Sequence, residues 1–433
     1  MQSFLPCHPP HSRLVRRGFH GFLHQGKRAG GTLPYVCISR WRAEKGGQGV
    51  RRSWRRLSMN LPTSIYPERN ILDRAALARL QAAGCRERRT RLSNWLVEVG
   101  LDGAVITRPQ HLTYFFGLHG WRSSPASGFV GRDGFGLISV GNSLETDVYA
   151  DETVRFDDSM FATTDEDRER AAIGALDIRL AKTKALGADC AEIAGRTITP
   201  IYNQILSMRR RKHPDEVALI SAAIAVNEAG YRAIAPHIAP GLLETEVFAL
   251  FQGAAIVAAG QTMGELGNDF RGGQPGGRPR PVPLVEGDLL PVDAGAVFAN
   301  YFSDMCRTFA VSGTRAPLQE EAFSRVVHAL SIAEDMIRPG VRCGTVFQEI
   351  SSILNSVRDD WRFDHHLGHG LGLNPVERPF INSGSDDIFE EGCTFALEPG
   401  LYGDNLRGGI RLEQNYVIEN GALRRLSNLP LDL

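Results

Sequence analysis

Hydrophobic and polar residues follow both helical and strand periods between Arg86 and about Ser207. Helical patterns cover residues 88–99 and 164–186, the second with charges on one face and Ala, Ile and Leu on the other. Short apolar runs predict strands at 103–107, 135–140 and 147–150. Helices mixed with short apolar strands are typical of an α/β unit. We therefore predict a small α/β domain, which carries no cluster of catalytic residues.

A second region begins after the basic stretch Arg209-Arg-Arg-Lys-His-Pro-Asp-Glu216. Pro214 suits the first turn of a helix, and Asp215 and Glu216 suit its positive end. Further helices are predicted at 214–227, 244–259, 319–337 and 343–359, with strands at 287–298, 301–311, 393–398 and 409–419. Helices beside a mostly antiparallel sheet indicate an α+β domain. The predicted domains are thus 59–208 and 209–433, preceded by residues 1–58.

Residues 1–58 differ from the rest in charge. The whole chain has 49 basic and 49 acidic residues, but this leader has twelve basic residues and only one acid, Glu44. A transit peptide, a nucleic-acid-binding arm and translated upstream sequence all fit such a composition. The preferred interpretation is upstream sequence before a physiological start at Met59, which mass spectrometry of the native N-terminus would test. The remaining chain, from Met59 onward, is then acidic.

Composition excludes several classes of protein. Zero net charge, with 42% hydrophobic and 23% charged residues, argues against nucleic-acid partners and membrane surfaces. No run of about 18 apolar residues predicts a membrane span, and no signal peptide core or phosphate-binding glycine motif is present. Seven cysteines without a Cys-x-x-Cys pair indicate reduced thiols in a cytoplasmic protein.

Four acids and one histidine lie inside apolar, strand-like sequence. Asp293 and Asp304 fall on two adjacent predicted strands, which could bring the two carboxylates together. Each buried carboxylate would be costly unless something neutralises it. For any single acid, a salt bridge within the sheet is the simplest explanation. The whole set, which is Asp293, Asp304, His369, Glu398 and Glu413, predicts an oxygen-rich site for one or two divalent cations.

Two local patterns add to this site. His369 lies between glycines that permit close approach of backbones. Arg411 and Glu413 are two residues apart on a predicted strand, so both side chains should point to the same face. A tetrahedral thiolate zinc site is excluded by the spacing of the cysteines.

These residues stand in five segments that resemble the signatures of the pita-bread metallopeptidases, a superfamily with methionine aminopeptidase, prolidase, Xaa-Pro aminopeptidase and creatinase. The segments are Val292-Asp-Ala-Gly295, Ser303-Asp-x-x-Arg-Thr308, Gly368-His-Gly-x-Gly-Leu373, Leu397-Glu-Pro-Gly-Leu-Tyr402 and Gly409-Ile-Arg-Leu-Glu413. The resemblance covers about residues 209–433. Residues 86–208 are similar to the N-terminal domain of the creatinase type. It therefore implies a pita-bread catalytic domain behind a small α/β domain, on the prolidase and Xaa-Pro aminopeptidase branch.

The resemblance also implies roles. Asp293 and Asp304 would hold one metal ion, His369 and Glu398 the other, with Asp304 and Glu413 bridging. Glu398 would also accept a proton from the attacking water. His365 would lie near the substrate, and Arg411 would orient the carboxylates. Manganese suits such ligands best, with iron, cobalt or zinc as other choices.

Two histidines of the family pattern are missing. Val376 stands where the peptidases have a histidine seven residues after the metal ligand, and no histidine lies between His237 and His328. A loop with Arg271, Arg278 and Arg280 occupies the second region, and its arginines suggest an anionic group on the substrate.

Three functions therefore stay open. The first is a hydrolase of the Xaa-Pro peptidase type, whose proton steps use His365, Tyr402 or an arginine. The second is a non-peptidase member acting on a small substrate, similar to creatinase or to the dimethylsulfoniopropionate lyases of this fold. The third is a non-catalytic binding scaffold. The hydrolase is the main prediction, and a homodimer that completes the active site through its N-terminal domain is expected.

Overall fold

The computed structural model describes residues 80–433, except for 120–125, 143, 145–146, 159–164, 194 and 264–268. The predicted leader, residues 1–58, lies outside the described residues, and the domain boundaries at 58 and 208 stay predictions. The described helices are α1 Ala82–Glu98, α2 Pro109–Phe116, α3 Asp165–Gly174, α4 Asp177–Leu180, α5 Tyr202–Arg209, α6 Pro214–Ile234, α7 Glu244–Ala259, α8 Pro317–Met336 and α9 Cys343–Asn355.

The first part of the chain forms one mixed sheet. Its strands are β1 Gly103–Ile106, β2 Ala126–Gly131, β3 Gly136–Gly141, β4 Glu152–Phe156, β5 Leu186–Ala188 and β6 Ile198–Pro200. They lie in the order β4-β3-β2-β1-β5-β6, with β1 antiparallel to β2 and parallel to β5. The predicted strand at 147–150 is wrong, because the strand begins at Glu152. The helical segment predicted at 164–186 is helical over α3 and α4, but these are two helices and the segment ends in the first residue of β5; residue 164 lies outside the described residues.

The second part contains the strands of the candidate site. These are β7 Leu289–Phe298, β8 Tyr301–Ala310, β9 Gly368–Gly370, β10 Glu377–Ile381, β11 Thr394–Leu397, β12 Gly400–Gly403, β13 Gly408–Arg411, β14 Gln414–Glu419 and β15 Ala422–Arg425. Two pairs, β7-β8 and β12-β13, stand beside a five-stranded sheet of order β10-β9-β11-β14-β15. All registers within these sheets are antiparallel. The predicted α+β class is confirmed.

The predicted strand 409–419 is two strands. Gly400 to Gly403 pair with residues 408–411, whereas residues 414–419 pair with β11 and β15. Leu412 and Glu413 lie in the break where the chain passes from one sheet to the other. This break matters for the site, because it leaves the side chain of Glu413 beside the β7-β8 hairpin.

Helix α6 begins where the sequence predicts. His213 accepts a hydrogen bond from the Asp215 backbone, and the Glu216 side chain accepts one from the His213 backbone. The two acids also face α1, where the Arg88 guanidinium lies 2.9 Å from Asp215 and 3.5 Å from Glu216. Arg88 is buried, so these contacts fix α1 against the start of α6.

Helix α6 packs on α7, β7 and β8. By length and composition, residues Pro214–His237 could cross a membrane, but 78% of that apolar window is buried within the structure. Its hydrophobic side chains therefore belong to the core, where Ile220 and Ile224 lie in the same buried cluster as Leu290 of β7. A second core cluster lies between α8, α9 and the five-stranded sheet.

The five cysteines in the described residues are all free, and four of them are buried.

Candidate metal centre and active site

The β7-β8 hairpin brings Asp293 and Asp304 together, as predicted. A two-residue turn at Ala299 and Asn300, both with positive φ, joins the strands and fixes their register. Asp304 pairs with Gly295 and Asp293 with Cys306, so the two carboxylates are diagonal neighbours on one face of the hairpin.

His369 and Glu398 come from the neighbouring sheet. His369 on β9 pairs with Ala396 on β11, and Glu398 follows the end of β11. A Cβ at Gly368 would lie 2.0 Å from the Ala396 carbonyl oxygen, and one at Gly370 would lie 2.2 Å from that of Arg378. The glycines on either side of the histidine therefore permit close backbone approach, as predicted.

Glu413 completes the predicted set from the break between β13 and β14. Its backbone amide donates to the Cys306 carbonyl at 3.0 Å, which ties it to β8. Asp304, His369 and Glu413 offer ligand atoms within 4.8 Å of one another, and so do Asp293, Glu398 and Glu413. All five predicted ligands are therefore in one place.

The buried carboxylates of this site need a positive charge to compensate them. Oδ1 of Asp304 and both carboxylate oxygens of Glu413 are buried and have no hydrogen-bond partner among the described residues. Burial raises the pKa of Asp304 and Glu413 far above the usual range, and repulsion from the neighbouring acids, Asp293 and Glu398, adds to this. Burial also raises the pKa of Asp293 to about 6, although Arg411 opposes it. Divalent cations fit this donor set, because they would neutralise the acids and use the unpaired oxygens.

Arg411 contacts the carboxylates, in agreement with its predicted position. Its Nη2 lies 2.9 Å from Oδ2 of Asp293 and also bonds Oδ2 of Asp269, while Nη1 donates to the Tyr402 hydroxyl at 3.3 Å. The backbone of Arg411 exchanges hydrogen bonds with the Thr308 hydroxyl of β8. The guanidinium is thereby held between two acids.

Asp269 is a site residue that the sequence analysis missed. Its backbone exchanges two hydrogen bonds with Asp293, at 3.1 and 2.9 Å, and its Oδ1 accepts a bond of 2.6 Å from the Gly277 amide. The acid lies in an irregular loop segment, where no hydrophobic period marks a buried residue. No sequence signal would have found it.

Gly276 leaves room for the Asp269 carboxylate. A Cβ at Gly276 would lie 2.2 Å from Oδ2 and 2.7 Å from Cγ of Asp269. Gly276→Ala is therefore expected to displace the carboxylate from Arg411, with a cost of about 1 to 3 kcal/mol in unfolding free energy and about a 10-fold loss of activity. Chemical denaturation and kinetics of the variant check this.

The matched control is Gly174→Ala at the end of α3. A Cβ there has no neighbour within 4 Å, so the exchange should be neutral or slightly stabilising in a helix. Equal effects of the two substitutions would contradict the assigned role of Gly276.

His365 lines the site but does not reach the acids. Its Nε2 lies 2.8 Å from the Tyr402 hydroxyl and its Nδ1 lies 2.7 Å from the His366 carbonyl oxygen. Burial lowers the pKa of His365, which favours the neutral ring. His365 and Tyr402 both line the same cavity, and the position of His365 near a substrate stays a prediction.

His366 is the second residue that the sequence analysis missed. Its Nε2 lies 2.7 Å from Oε1 of Glu398. Burial acts to raise the pKa of Glu398, but the hydrogen bond with His366 and the charges of the nearby imidazoles outweigh it and lower that pKa. The double histidine His365-His366, three residues before His369, was a signal in the sequence that could have found it.

A cavity of about 390 Å³ opens over this centre. Residues that line it include Asp269, Asp293, His365, His366, Glu398 and Arg411. The loop before β7 contributes Pro275 and Gly276.

The arginines of that loop, Arg271, Arg278 and Arg280, do not line the cavity. The Arg280 side chain donates hydrogen bonds of 2.7 and 3.0 Å to the Glu244 carboxylate. The Arg271 side chain donates one of 2.9 Å to the Arg278 carbonyl oxygen. In the part of the chain that the structure describes, none of the three lines the cavity. Their contacts therefore lend no support to the predicted recognition of an anionic group by this loop.

Val376 is half exposed, at 50%, immediately before β10. Val376 therefore brings no imidazole to the site. The loop before β7, which occupies the region of the second missing histidine, lines the cavity with Gly276 and has no histidine there either. Among the described residues, the histidines that line the cavity are His365 and His366.

Comparisons with known proteins agree with this geometry. Residues 218–420 match the model of metallopeptidase family M24, a range that contains all five predicted ligands. The putative dipeptidase YkvY of Bacillus subtilis is 32% identical over 232 residues, or 51% of this chain and 61% of that protein. The chain thus spans less than two thirds of the length of this relative. The Xaa-Pro dipeptidase of Pyrococcus furiosus is 27% identical over 364 residues, or 80% of this chain and 99% of that protein.

Solved structures give the same result for the fold. The X-Pro aminopeptidase from Thermotoga maritima matches with a TM-score of 0.66 at 21% identity, over 80% of this chain and 98% of that one. The predicted fold, a small N-terminal domain before a pita-bread domain, is confirmed. Residues 218–420, which carry the complete predicted ligand set, are thus similar to metallopeptidase family M24.

Proposed function

We propose that this protein is a dinuclear-metal-dependent hydrolase of the Xaa-Pro peptidase type, which cleaves a peptide or amide bond in a small substrate. The observation that carries the proposal is the convergence of four carboxylates and His369, with buried oxygens of Asp304 and Glu413 that lack partners. Relatives named Xaa-Pro dipeptidase support the reaction class.

The proposed ligands divide between two ions. Asp293 and Asp304 would hold one ion and His369 and Glu398 the other, with Asp304 and Glu413 as ligands that the two ions would share. The compact cluster of Asp304, His369 and Glu413 supports this division for the second ion. Asp293 and Glu398 are assigned to different ions, yet they lie in one cluster with Glu413. The two ions would therefore lie close together.

Each residue has a distinct task in the proposed reaction. Bound divalent ions would supply an activated water and polarise the scissile carbonyl group. Glu398, whose lowered pKa keeps it ionised at neutral pH, accepts the proton of the attacking water. Arg411 holds Asp293 in place, and His365 with Tyr402 presents a hydrogen-bonded pair toward the substrate cavity.

Several finer features belong to the same proposal. Manganese, iron or cobalt suits the oxygen-rich ligand set better than zinc. A cytoplasmic location agrees with the free cysteines of the described residues. A homodimer, in which the domain at residues 59–208 completes the active site, is the proposed assembly, and size-exclusion chromatography with light scattering tests it.

A second candidate is a non-peptidase hydrolase or lyase that acts on another small molecule. Two observations favour it: Val376 presents an apolar, half-exposed side chain, and the loop before β7 presents Gly276 to the cavity instead of an imidazole. The third possibility, a binding scaffold, is disfavoured because the buried acids without metal would destabilise the fold.

Metal analysis followed by a peptidase assay tests the proposal. The purified protein should bind about two divalent ions per chain and should cleave Xaa-Pro dipeptides or tripeptides when Mn²⁺ is added. A protein that refuses metal would contradict both enzyme functions. A protein that binds metal but leaves these peptides intact would favour the non-peptidase candidate.

Val376→His should raise the Xaa-Pro cleavage rate about 10-fold, because an added imidazole can donate to the developing oxyanion or move a proton. The gain stays below the ~10²- to 10⁴-fold worth of a well-placed acid-base group, since the side chain starts from an exposed position. Val376→Asn is the control, with similar polarity but no group that titrates near pH 7. Equal rates for the two variants would show that the imidazole is irrelevant.

A further inference from the structure

We propose that His366 is an additional ligand of the metal centre, so that one of the two ions is held by two imidazoles. This inference rests on the proposed dinuclear function. It concerns a residue outside the five-ligand set, and it changes which metal that position prefers.

Two imidazoles approach the same carboxylate oxygen. Nε2 of His366 lies 2.7 Å from Oε1 of Glu398, and Nε2 of His369 lies 3.6 Å from that atom. The three side chains offer ligand atoms that all lie within 4.8 Å of one another. Ligands bound to one ion at about 2.0 to 2.2 Å must lie this close together.

The orientation of the rings also fits one shared ion. The ring centroids of His366 and His369 are 5.5 Å apart, and the ring planes are nearly perpendicular at 80°. Two rings at this angle can point their Nε2 atoms to one centre without stacking on each other. The side chain of His366 is 45% exposed, so it can adjust when the ion enters.

The backbone holds His366 near the cluster. His365 uses one ring nitrogen on the Tyr402 hydroxyl and the other on the His366 carbonyl oxygen. The Glu398 amide donates to the Leu367 carbonyl at 2.8 Å. The segment is thus fixed on both sides of His366, while His365 is occupied and His366 faces the cluster.

Two imidazoles and a carboxylate make a different site from an all-oxygen one. Imidazole suits zinc, iron and related ions, whereas carboxylate and water suit manganese. The position beside His366 and His369 should therefore select Co²⁺, Fe²⁺ or Zn²⁺ over Mn²⁺. The position beside Asp293 and Asp304 should keep the oxygen-rich preference.

The test compares metal binding by the full-length protein and by His366→Gln, after chelation and dialysis. Glutamine can keep a hydrogen bond to Glu398 but is a poor metal ligand, so the exchange separates the two roles. Calorimetric titration should show two sites in the unchanged protein. In His366→Gln, one site should bind Co²⁺ and Zn²⁺ about 100-fold more weakly or worse, since even an outer partner of a ligand can cost 10- to 100-fold. The loss for Mn²⁺ should be smaller than about 10-fold.

The control is His328→Gln, which changes an exposed histidine of α8 and should leave both affinities unchanged.

Pulsed electron paramagnetic resonance of the unchanged protein gives a second readout that needs no variant. Nitrogen couplings from two imidazoles on one ion are expected. Couplings from one imidazole, or affinities of His366→Gln equal to those of the unchanged protein, would leave His366 as a hydrogen-bond partner only. A protein that binds no metal would instead overturn the proposed function itself.

Discussion

Glu413→Gln is expected to abolish hydrolysis and, at the same time, to stabilise the metal-free protein. Both oxygens of the Glu413 carboxylate are buried without a hydrogen-bond partner among the described residues. The substitution removes a buried acid that only a cation would compensate, and the expected gain is on the order of 1 to 4 kcal/mol, the range found when buried ion pairs are replaced by uncharged residues. Activity should fall at least about 10³-fold, because a metal lowers the pKa of water from about 15.7 to about 7 and the variant loses its bridging ligand.

The stabilisation should depend on pH. Burial, with repulsion from Asp304 and Asp293, raises the pKa of Glu413 in the folded state. An acid with a raised folded-state pKa binds more protons folded than unfolded, so its contribution to stability is lost as the pH rises. Glu413→Gln should therefore gain more stability at pH 8 than at pH 5, measured by chemical denaturation in the presence of a chelator.

Glu377→Gln is the matched control, because Glu377 is also buried but is paired. Its carboxylate accepts a hydrogen bond of 2.7 Å from Nζ of Lys212 and another from Arg209. Burial acts to raise the pKa of Glu377, but these two cations outweigh it and lower the pKa. Removing one partner of a buried ion pair costs about 3 to 5 kcal/mol, and this stability is lost as the pH falls.

The two glutamates should thus respond in opposite directions to the same chemical change. If Glu413→Gln destabilised the metal-free protein as Glu377→Gln does, Glu413 would have a partner in solution, which would contradict a metal site at this position.

The sequence predicts those elements whose pattern is set by local chemistry. Helix α6 starts at Pro214 and α7 spans Glu244–Ala259, as predicted, because caps, Pro and apolar periods decide these helices. The hairpin of β7 and β8 is also close to its predicted bounds. The break at Leu412 and Glu413 could not be predicted, because both sides read as strand and only tertiary pairing decides that they join different sheets.

The site residues, like the helices and strands, could be predicted where local sequence marks them. The five predicted ligands are charged or polar residues within apolar, strand-like sequence, a conflict that a common function explains, and they do converge. Asp269 lies in an irregular loop, where an acid conflicts with nothing, and only the fold brings it to Arg411. His366 was overlooked because its neighbour, His365, matched the family pattern.

Arg411→Met should destabilise the metal-free protein by about 3 to 5 kcal/mol, as expected for loss of one member of a buried charge cluster. The guanidinium lies between Asp269 and Asp293 and also bonds the Tyr402 hydroxyl. Its removal leaves both carboxylates without their cation and raises the pKa of Asp293 further, because the charge of Arg411 now lowers it. Activity should fall about 10- to 100-fold, the usual cost of losing a group that orients a metal ligand.

Asp269→Asn tests whether the second acid acts through Arg411. Alone, it should cost about 1 kcal/mol, since one charged hydrogen bond becomes a neutral one. Combined with Arg411→Met, it should restore stability relative to Arg411→Met alone, because Asp269 then no longer carries an unpaired charge. The double-mutant cycle, measured by urea denaturation with chelator, should therefore give a coupling of about 1 to 3 kcal/mol. Additive effects would mean that Asp269 contributes to the site independently of Arg411, and that its contact with the guanidinium has no energetic importance.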